Sequence, residues 1–419
     1  MKKIVTFCLL FVASCGQIFA QNKAENARKY ELLRERLRME FMYYTGDGME
    51  RGTSLPMERK YVGKSGVTGY WADGTWWQGH YVALLATEYA RLKKEGKPTD
   101  ETLLELRCAI DTYNRLDLAA EHCWNCDTFT QPNGFYLRDD IYRMDTTRMC
   151  LNMIYCDRYV NCGNVKAKGN APSQDQAWGS YLGFALAKKL VNDPELNKKI
   201  ADIVYRMVTG MQSVGSDGKL HWQVVNPVTK VVIQPETDIQ WLQYAHDRIG
   251  SMLSGRDVTF KRSDKGEWRS MWNIVQDNML IDKDGNFRWY GILAMSAVMN
   301  DGGTANSDCY RWMVRCCEKI AKKRPDLQQK LIFPHLPLIN LALYGTQGRT
   351  LVPRAEYDYY LNSAPADGAV TKTIDGKTVR TAVPWHSLSL FCPWHTKDTG
   401  WSNMIDYLLL YNLVELIYD

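Results

Sequence analysis

Apolar residues recur with the period of an α-helix along nearly the whole of this 419-residue chain, and that periodicity limits the fold more than any single motif. The spacing predicts helices over 24–44, 75–95, 99–119, 142–160, 174–191, 195–212, 237–253, 266–279, 289–300, 308–323, 334–345 and 401–418. Strand signals are few. Lys219–Val225 and Lys230–Ile233, separated by Asn226-Pro227, predict one hairpin, and Val370–Arg380, turning at Asp375-Gly376, predicts another. No Pro/Ser-rich linker divides the helices, so residues 21–419 read as one domain. The expected fold class is all-α. The architecture that uses every helix is an (α/α)6 toroid of six helical hairpins with small β-hairpin insertions in its loops. A solenoid of helix pairs is the alternative, but no repeat of fixed period is found.

The helices sort by polarity. Those over 174–191, 289–300 and 334–345 are apolar nearly all round, whereas 24–44, 99–119, 195–212 and 308–323 carry Lys, Arg and Glu on one face. An inner ring wrapped by an outer ring produces such a split. Connections near 95–99 and 192–194 are short, and those at 45–73, 119–141 and 213–236 are long enough to build a binding mouth. The segment 346–399 reads as long and non-helical. Strict alternation of the rings requires the 161–173 connection to cross the full height of the barrel.

Residues 1–20 read as a signal peptide: Lys2 and Lys3, an apolar stretch from Ile4 to Ser14, and Ile18-Phe19-Ala20 before Gln21. Val12-Ala13-Ser14-Cys15 also fits a lipoprotein box, which makes Cys15 a candidate lipid anchor. Either reading exports the chain, to a periplasm or an outer-membrane surface. Net charge is +5, and +3 without Lys2 and Lys3, with no Lys/Arg block, so nucleic acid is not an expected partner. Of twelve cysteines, ten lie beyond residue 20. Cys123-Trp124-Asn125-Cys126 lacks a second Cys-x-x-Cys, and buried thiols or one or two disulfides are expected rather than zinc or redox chemistry. Asp282-Lys283-Asp284-Gly285-Asn286 lacks the terminal Glu of a calcium loop and reads as a turn. No metal or cofactor is expected. The sequence leaves the oligomeric state open.

Chemistry concentrates at two helix starts. Tyr70-Trp71-Ala72-Asp73-Gly74-Thr75-Trp76-Trp77-Gln78-Gly79-His80 sets a carboxylate among three tryptophans and a histidine. Sugars are held by flat aromatic faces and by carboxylates that bond hydroxyls or move protons. Asp73 before a helix reads equally as an N-cap, yet neighbouring Trp rings desolvate a carboxyl group and raise its pKa, as a general acid requires. Ser173-Gln174-Asp175-Gln176-Ala177-Trp178-Gly179 repeats the chemistry, with Ser173 as the alternative cap.

Trp71-Ala72-Asp73-Gly74, followed by the aromatic-rich helix ending near Ala86-Thr87-Glu88-Tyr89-Ala90, resembles a motif of the unsaturated rhamnogalacturonyl and glucuronyl hydrolases in the six-hairpin glycosidase group. The resemblance implies an (α/α)6 fold and assigns Asp73 the role of general acid/base, protonating the C4–C5 double bond of an unsaturated uronic sugar. The family's Trp-x-Arg-Gly-x-x-Trp stretch has no counterpart here.

Other segments carry weaker signals. Arg138-Asp139-Asp140 reads as a solvated first turn, and Glu236 and Asp238 as a reserve of carboxylates. Trp385-His386 and Pro393-Trp394-His395 place two His beside two Trp in one long segment. The expectation is therefore an exported glycoside hydrolase acting on oligosaccharides, uronic-acid-containing ones included. Asp73 and Asp175 are its catalytic pair. Trp71, Trp76, Trp77, His80, Gln176, Trp178, His386, Trp394 and His395 are its substrate contacts. The alternatives are a polysaccharide lyase on the same fold, with a Tyr/His pair, and a glycan-binding (lipo)protein without catalysis.

Overall fold

The computed structural model describes residues 22–43, 54–63, 66–71, 73–123, 131–140, 154–156, 173–214, 220–225, 232–236, 242–260, 264–277, 285–300, 308–322, 330–374, 377–381 and 399–419. They form a mostly helical, all-α structure with little strand. Twelve helices lie among them. Helix α1 spans 22–36, continued by a π-type turn at Leu37–Phe41. Next come α2 (Gly74–Lys94), α3 (Asp100–Cys123), α4 (Gln174–Leu186, closed by a π-type turn at Ala187–Val191) and α5 (Pro194–Met211). They are followed by α6 (Gln243–Ser254), α7 (Lys265–Asp277), α8 (Gly285–Met299) and α9 (Cys309–Lys322). The last are α10 (His335–Tyr344), α11 (Arg354–Ser363) and α12 (Ile405–Tyr418).

The polarity split holds. α5 buries Leu196, Ile200, Ile203, Val204, Met207, Val208 and Met211, one stripe of a helix whose opposite face is charged. Its start is strongly specified, since Asp193 Oδ1 accepts the Leu196 N–H at 2.9 Å and Pro194 occupies the first turn. By contrast, α2 is buried from Gly74 through Glu88 and α12 from Ile405 through Glu415. The even-numbered helices pack in succession, α2 on α4, α4 on α6, α6 on α8, α8 on α10, α10 on α12, and α12 on α2. Odd-numbered helices lie against them, α3 on α2, α5 on α6, α9 on α10 and α11 on α12. Helix α1 joins this layer through Arg34, whose guanidinium sits between Glu88 of α2 and Glu105 of α3. Burial alone would raise the Glu88 carboxyl, but Arg34, Tyr30 and Thr102 outweigh it and hold the group down at about 2.

The tightest contact is between α2 and α4. They run parallel, because Trp76 meets Gln176, Gly79 meets Gly179, and Gly183 meets Gly79 and Val82. The contact is backbone on backbone: a Cβ on Gly79 would stand 2.2 Å from the Gly179 carbonyl carbon, and one on Gly183 2.3 Å from the Gly79 oxygen. Glycine is required there for want of space.

Short sheets guide the chain into these helices. β1 (Met42–Tyr43) pairs with β2 (Leu55–Pro56). A four-stranded sheet runs in the order β11-β3-β4-β5, from β3 (Arg59–Gly63), β4 (Gly66–Tyr70), β5 (Ile154–Cys156) and β11 (Gly400–Ser402). β3 is antiparallel to both β4 and β11, and β5 is parallel to β4. Because β4 leads into α2 and β11 into α12, the sheet delivers both helix starts to one place. The side chain of Asn403 helps, donating to the Met57 carbonyl at 3.0 Å and accepting the Ile405 N–H at 3.0 Å. β6 (Gln212–Val214), β7 (Leu220–Val225) and β8 (Val232–Glu236) form an antiparallel sheet, and β9 (Val370–Ile374) and β10 (Lys377–Thr381) the expected hairpin.

Three expectations are corrected. The 45–73 segment is not a plain loop, since it supplies β2, β3 and β4. Of the helix expected over 142–160, the described part, Ile154–Cys156, is a strand, its register set by pairing with Thr68–Tyr70. The 346–399 segment contains α11, whose buried Tyr357, Tyr360 and Leu361 fall at helical spacing. With α2 packed directly on α4, no connection needs to cross the molecule to bring these two helices together. Cys108, Cys309, Cys316 and Cys317 are buried. Among the described residues, no helix is long and apolar enough to cross a membrane.

Gly79→Ala and Gly183→Ala are expected to destabilise the fold by about 1–3 kcal/mol each, because overpacking a backbone contact forces the helices apart. Urea denaturation checks this against exposed Lys189→Ala, expected within about 0.5 kcal/mol of the parent.

Candidate functional site

The parallel α2–α4 contact places the two helix starts side by side, and with them Asp73 and Asp175. Asp73 occupies the N-cap position of α2, but its side chain makes no capping hydrogen bond. Gln176 of α4 takes that role: its Oε1 accepts the Trp76 N–H at 2.8 Å and the Thr75 hydroxyl at 2.5 Å. Its amide orientation is thereby set, and Nε2 donates to Asp73 Oδ1 at 3.1 Å and to Asp175 Oδ2 at 3.3 Å. One amide nitrogen therefore bridges the two carboxylates. Arg138 closes the circuit from the other side. Nη1 donates to Asp73 Oδ1 at 3.1 Å and Nη2 to Ser173 Oγ at 2.8 Å, and Ser173 in turn donates to Asp175 Oδ1. Ser173 likewise makes no capping bond. Gly74 allows this approach, since a Cβ there would lie 2.4 Å from the Arg138 carbonyl oxygen.

The two acids differ in exposure. The Asp73 side chain is 35 % exposed, while Asp175 is 8 % exposed. Protein crowding raises the Asp73 pKa above the ordinary carboxylate value; Arg138 and Gln176 oppose the shift, and the nearby Asp175 charge adds to it. The pair thus holds one carboxyl group that gains a proton readily and faces outward.

One turn along α2, a second cluster is drier. His80 Nδ1 bonds the Trp76 carbonyl at 3.0 Å, so it must carry the proton. Nε2 is then an acceptor, and the Tyr290 hydroxyl donates to it at 2.8 Å. Tyr290 Oη also meets His335 Nε2 at 3.4 Å, where the histidine is the donor. Burial lowers the His80 pKa to about 4, against the opposing pull of the Trp76 carbonyl, and raises that of Tyr290. Trp76, Trp77 and Leu409 complete, with His80, Tyr290, His335 and Asp406, a narrow cavity with room for about one water molecule. These residues come from the first two turns of α2, α8, α10 and α12, so four helix starts converge on one end of the molecule.

The structure brings together Asp73, Asp175, Gln176, Trp76, Trp77 and His80, as the sequence reading grouped them. It gives Gln176, Trp178 and Trp71 roles other than the expected sugar contacts. Gln176 is fully buried with its amide saturated, which leaves nothing for a sugar hydroxyl; it positions the carboxylates instead. Trp178 is buried against Gly291 of α8, and Trp71 is buried over Gly69 and Met57, so both rings are core. Arg138-Asp139-Asp140 is not a solvated turn. Asp139 and Asp140 are buried, and Asp140 pairs with Arg115 at 2.9 Å. His386, Trp394 and His395 lie outside the described residues, as do Asp238 and the side chain of Glu236. Sequence reasoning missed Arg138, Tyr290, His335 and Asp406. Arg138 carried a faint signal in its neighbouring acids, and the other three carried none. Among the described residues, no group of three or more His, Cys, Asp or Glu side chains is arranged to hold a metal ion. No protein family, no curated protein and no solved structure matches this chain.

A histidine whose folded pKa is depressed stabilises the fold above its unfolded value and loses that contribution as pH falls. His80 should therefore cost on the order of 3 kcal/mol of stability between about pH 6.5 and about pH 4. Its imidazole resonances in an NMR titration are expected to stay at their neutral positions through pH 5.

Proposed function

We propose that this chain is a glycoside hydrolase built as an (α/α)6 toroid of six helical hairpins, with Asp73 and Asp175 as its working carboxylates. The observation that carries the reading is the Gln176-bridged pair: one acid raised in pKa and partly exposed, the other buried and fully engaged. Paired carboxylates of unequal environment are what general acid catalysis beside a second carboxylate requires. The toroid reading is supported by the closed succession of even-numbered helices and by the odd-numbered helices lying against them.

In the proposed reaction, neutral Asp73 donates its proton to the glycosidic oxygen as the bond to the sugar carbon breaks. The carboxylate left behind keeps its bonds from Arg138 and Gln176, each at 3.1 Å, and takes back a proton from the water molecule whose oxygen bonds to the sugar carbon. Asp175 offsets the positive charge that develops on the sugar ring. Trp76 and Trp77 bound the neighbouring cavity, while Trp71 and Trp178 belong to the core. The substrate is an oligosaccharide, uronic-acid-containing glycans among those to be tested. We further place the protein outside the cytoplasm, in the periplasm or at the outer-membrane surface, on the signal-like residues 1–20, with Cys15 a possible lipid anchor site.

A lyase is the second reading, favoured by the hydrogen-bonded His80–Tyr290 pair. Burial lowers the His80 pKa to about 4 and raises that of Tyr290, which makes the histidine a weak base and the tyrosine a weak acid, and the carboxylate pair is therefore preferred.

Asp73→Asn is expected to lower hydrolysis by about 10²- to 10⁴-fold, measured as reducing ends released from neutral and acidic oligosaccharides. Full activity in that variant removes the proposal, and a rise in ultraviolet absorbance from a new C4–C5 double bond replaces it with a lyase. Loss of that absorbance from unsaturated fragments assigns the uronyl branch. Because Arg138 favours the ionised form of Asp73, Arg138→Gln should move the alkaline limb of the pH–rate profile to higher pH. An unmoved or lowered limb means that Asp73 is not the group that titrates.

A further inference from the structure

Asp406 plays no part in the chemistry above, yet it is the most anomalous group near it. It is the second residue of α12 and is 5 % exposed. Its Oδ1 accepts the N–H of Tyr407 at 2.9 Å, while Oδ2 has no hydrogen-bond partner among the described residues. A buried carboxyl oxygen without a protein partner calls for a hydrogen-bond donor from elsewhere. Its setting gives it a use. Asp406 lines the narrow cavity that also holds Trp76, His80, Tyr290 and His335, and Trp76 links that cavity to the carboxylate pair through the bond of its N–H to Gln176.

We propose that this cavity receives the hydroxymethyl arm of a neutral sugar ring, with Asp406 Oδ2 bonding its hydroxyl. The inference rests on the reading of the site as glycan-binding. Three observations lead to it. The space suits one water-sized group and not a whole ring, and the exocyclic hydroxymethyl is the hydroxyl of a hexose that stands farthest from its ring. The described walls carry no Lys or Arg, and the nearby Arg138 is already held by Asp73 and Ser173, so the carboxylate of a uronic acid would be buried there without a cation. A methyl group in the same place would leave Oδ2 as unpaired as it is now. Burial also shifts the Asp406 carboxyl toward its neutral form, which keeps it compatible with a neutral partner. Asp406 thus acts as a specificity-determining residue for the sugar next to the carboxylate pair.

The test is binding without turnover. Calorimetric titration uses the methyl glycosides of glucose, galactose and mannose, each beside its 6-deoxy and its 6-carboxylate counterpart. With the parent protein, at least one hydroxymethyl glycoside should bind about tenfold or more tightly than both counterparts. Asp406→Leu should erase that difference while melting no lower than the parent, and Asp406→Asn, which can still bond a hydroxyl, should keep part of it. The proposal is overturned if no glycoside binds, if a 6-deoxy or 6-carboxylate sugar binds as well, or if Asp406→Leu keeps the preference. Should the leucine variant not fold, the parent's own ranking of the sugars decides. A chain that shows the preference and hydrolyses nothing refutes the hydrolase while leaving this inference standing, and hydrolysis without the preference does the reverse.

Discussion

The structure depends on a contact between two backbones. Where Gly79 and Gly183 meet the opposing helix there is no room for a side chain, so α2 and α4 approach closely enough to lock both rotation and register. Parallel running then brings their first turns to the same height. The pairing of Asp73 with Asp175 through a single glutamine follows from that register. A slip of one helical turn, about 5.4 Å, would carry Gln176 out of reach of the Trp76 amide and separate the carboxylates.

Convergence of helix starts shapes the electrostatics of this end. The positive ends of helix dipoles favour anions, so a cluster of carboxylates there is cheaper than elsewhere in the interior. Arg138 is the cation that joins the two acids into one circuit, and Asp73 still remains easier to protonate than an ordinary aspartate. In the neighbouring cluster, by contrast, burial favours the neutral forms of His80 and Tyr290. The Trp76 carbonyl dictates the His80 tautomer, and each later proton has one direction in which to point. The site therefore joins a charged, partly open half to a dry, neutral half, with Trp76 belonging to both.

Much of the fold was legible in the residues. The helical repeat gave eleven of the helix positions to within a few residues, because apolar spacing reports burial directly. Helix α11 was hidden because its buried stripe is built from tyrosines, which read as surface residues. Ile154–Cys156 was assigned to a helix because a three-residue strand has too little periodicity of its own, and pairing with β4 decides it. In the candidate site, the aromatic-rich stretch around Asp73 marked one of the two helix starts that meet. It could not distinguish a cap from a free carboxylate, since that depends on Gln176, a hundred residues away, taking over the capping bond.

The sequence by itself determined a helical chain, the division into helices buried all round and helices buried on one face, and the two acid-bearing helix starts. These are local properties, set by composition and by a period of a few residues. Tertiary structure alone decided which acids meet, that Arg138 and Gln176 hold them, that Tyr290 and His335 complete a chain with His80, and that Asp406 is buried with one oxygen lacking a partner among the described residues. Those facts join residues tens to hundreds of positions apart, and they arise where backbones touch and water is excluded, which no spacing along the chain records.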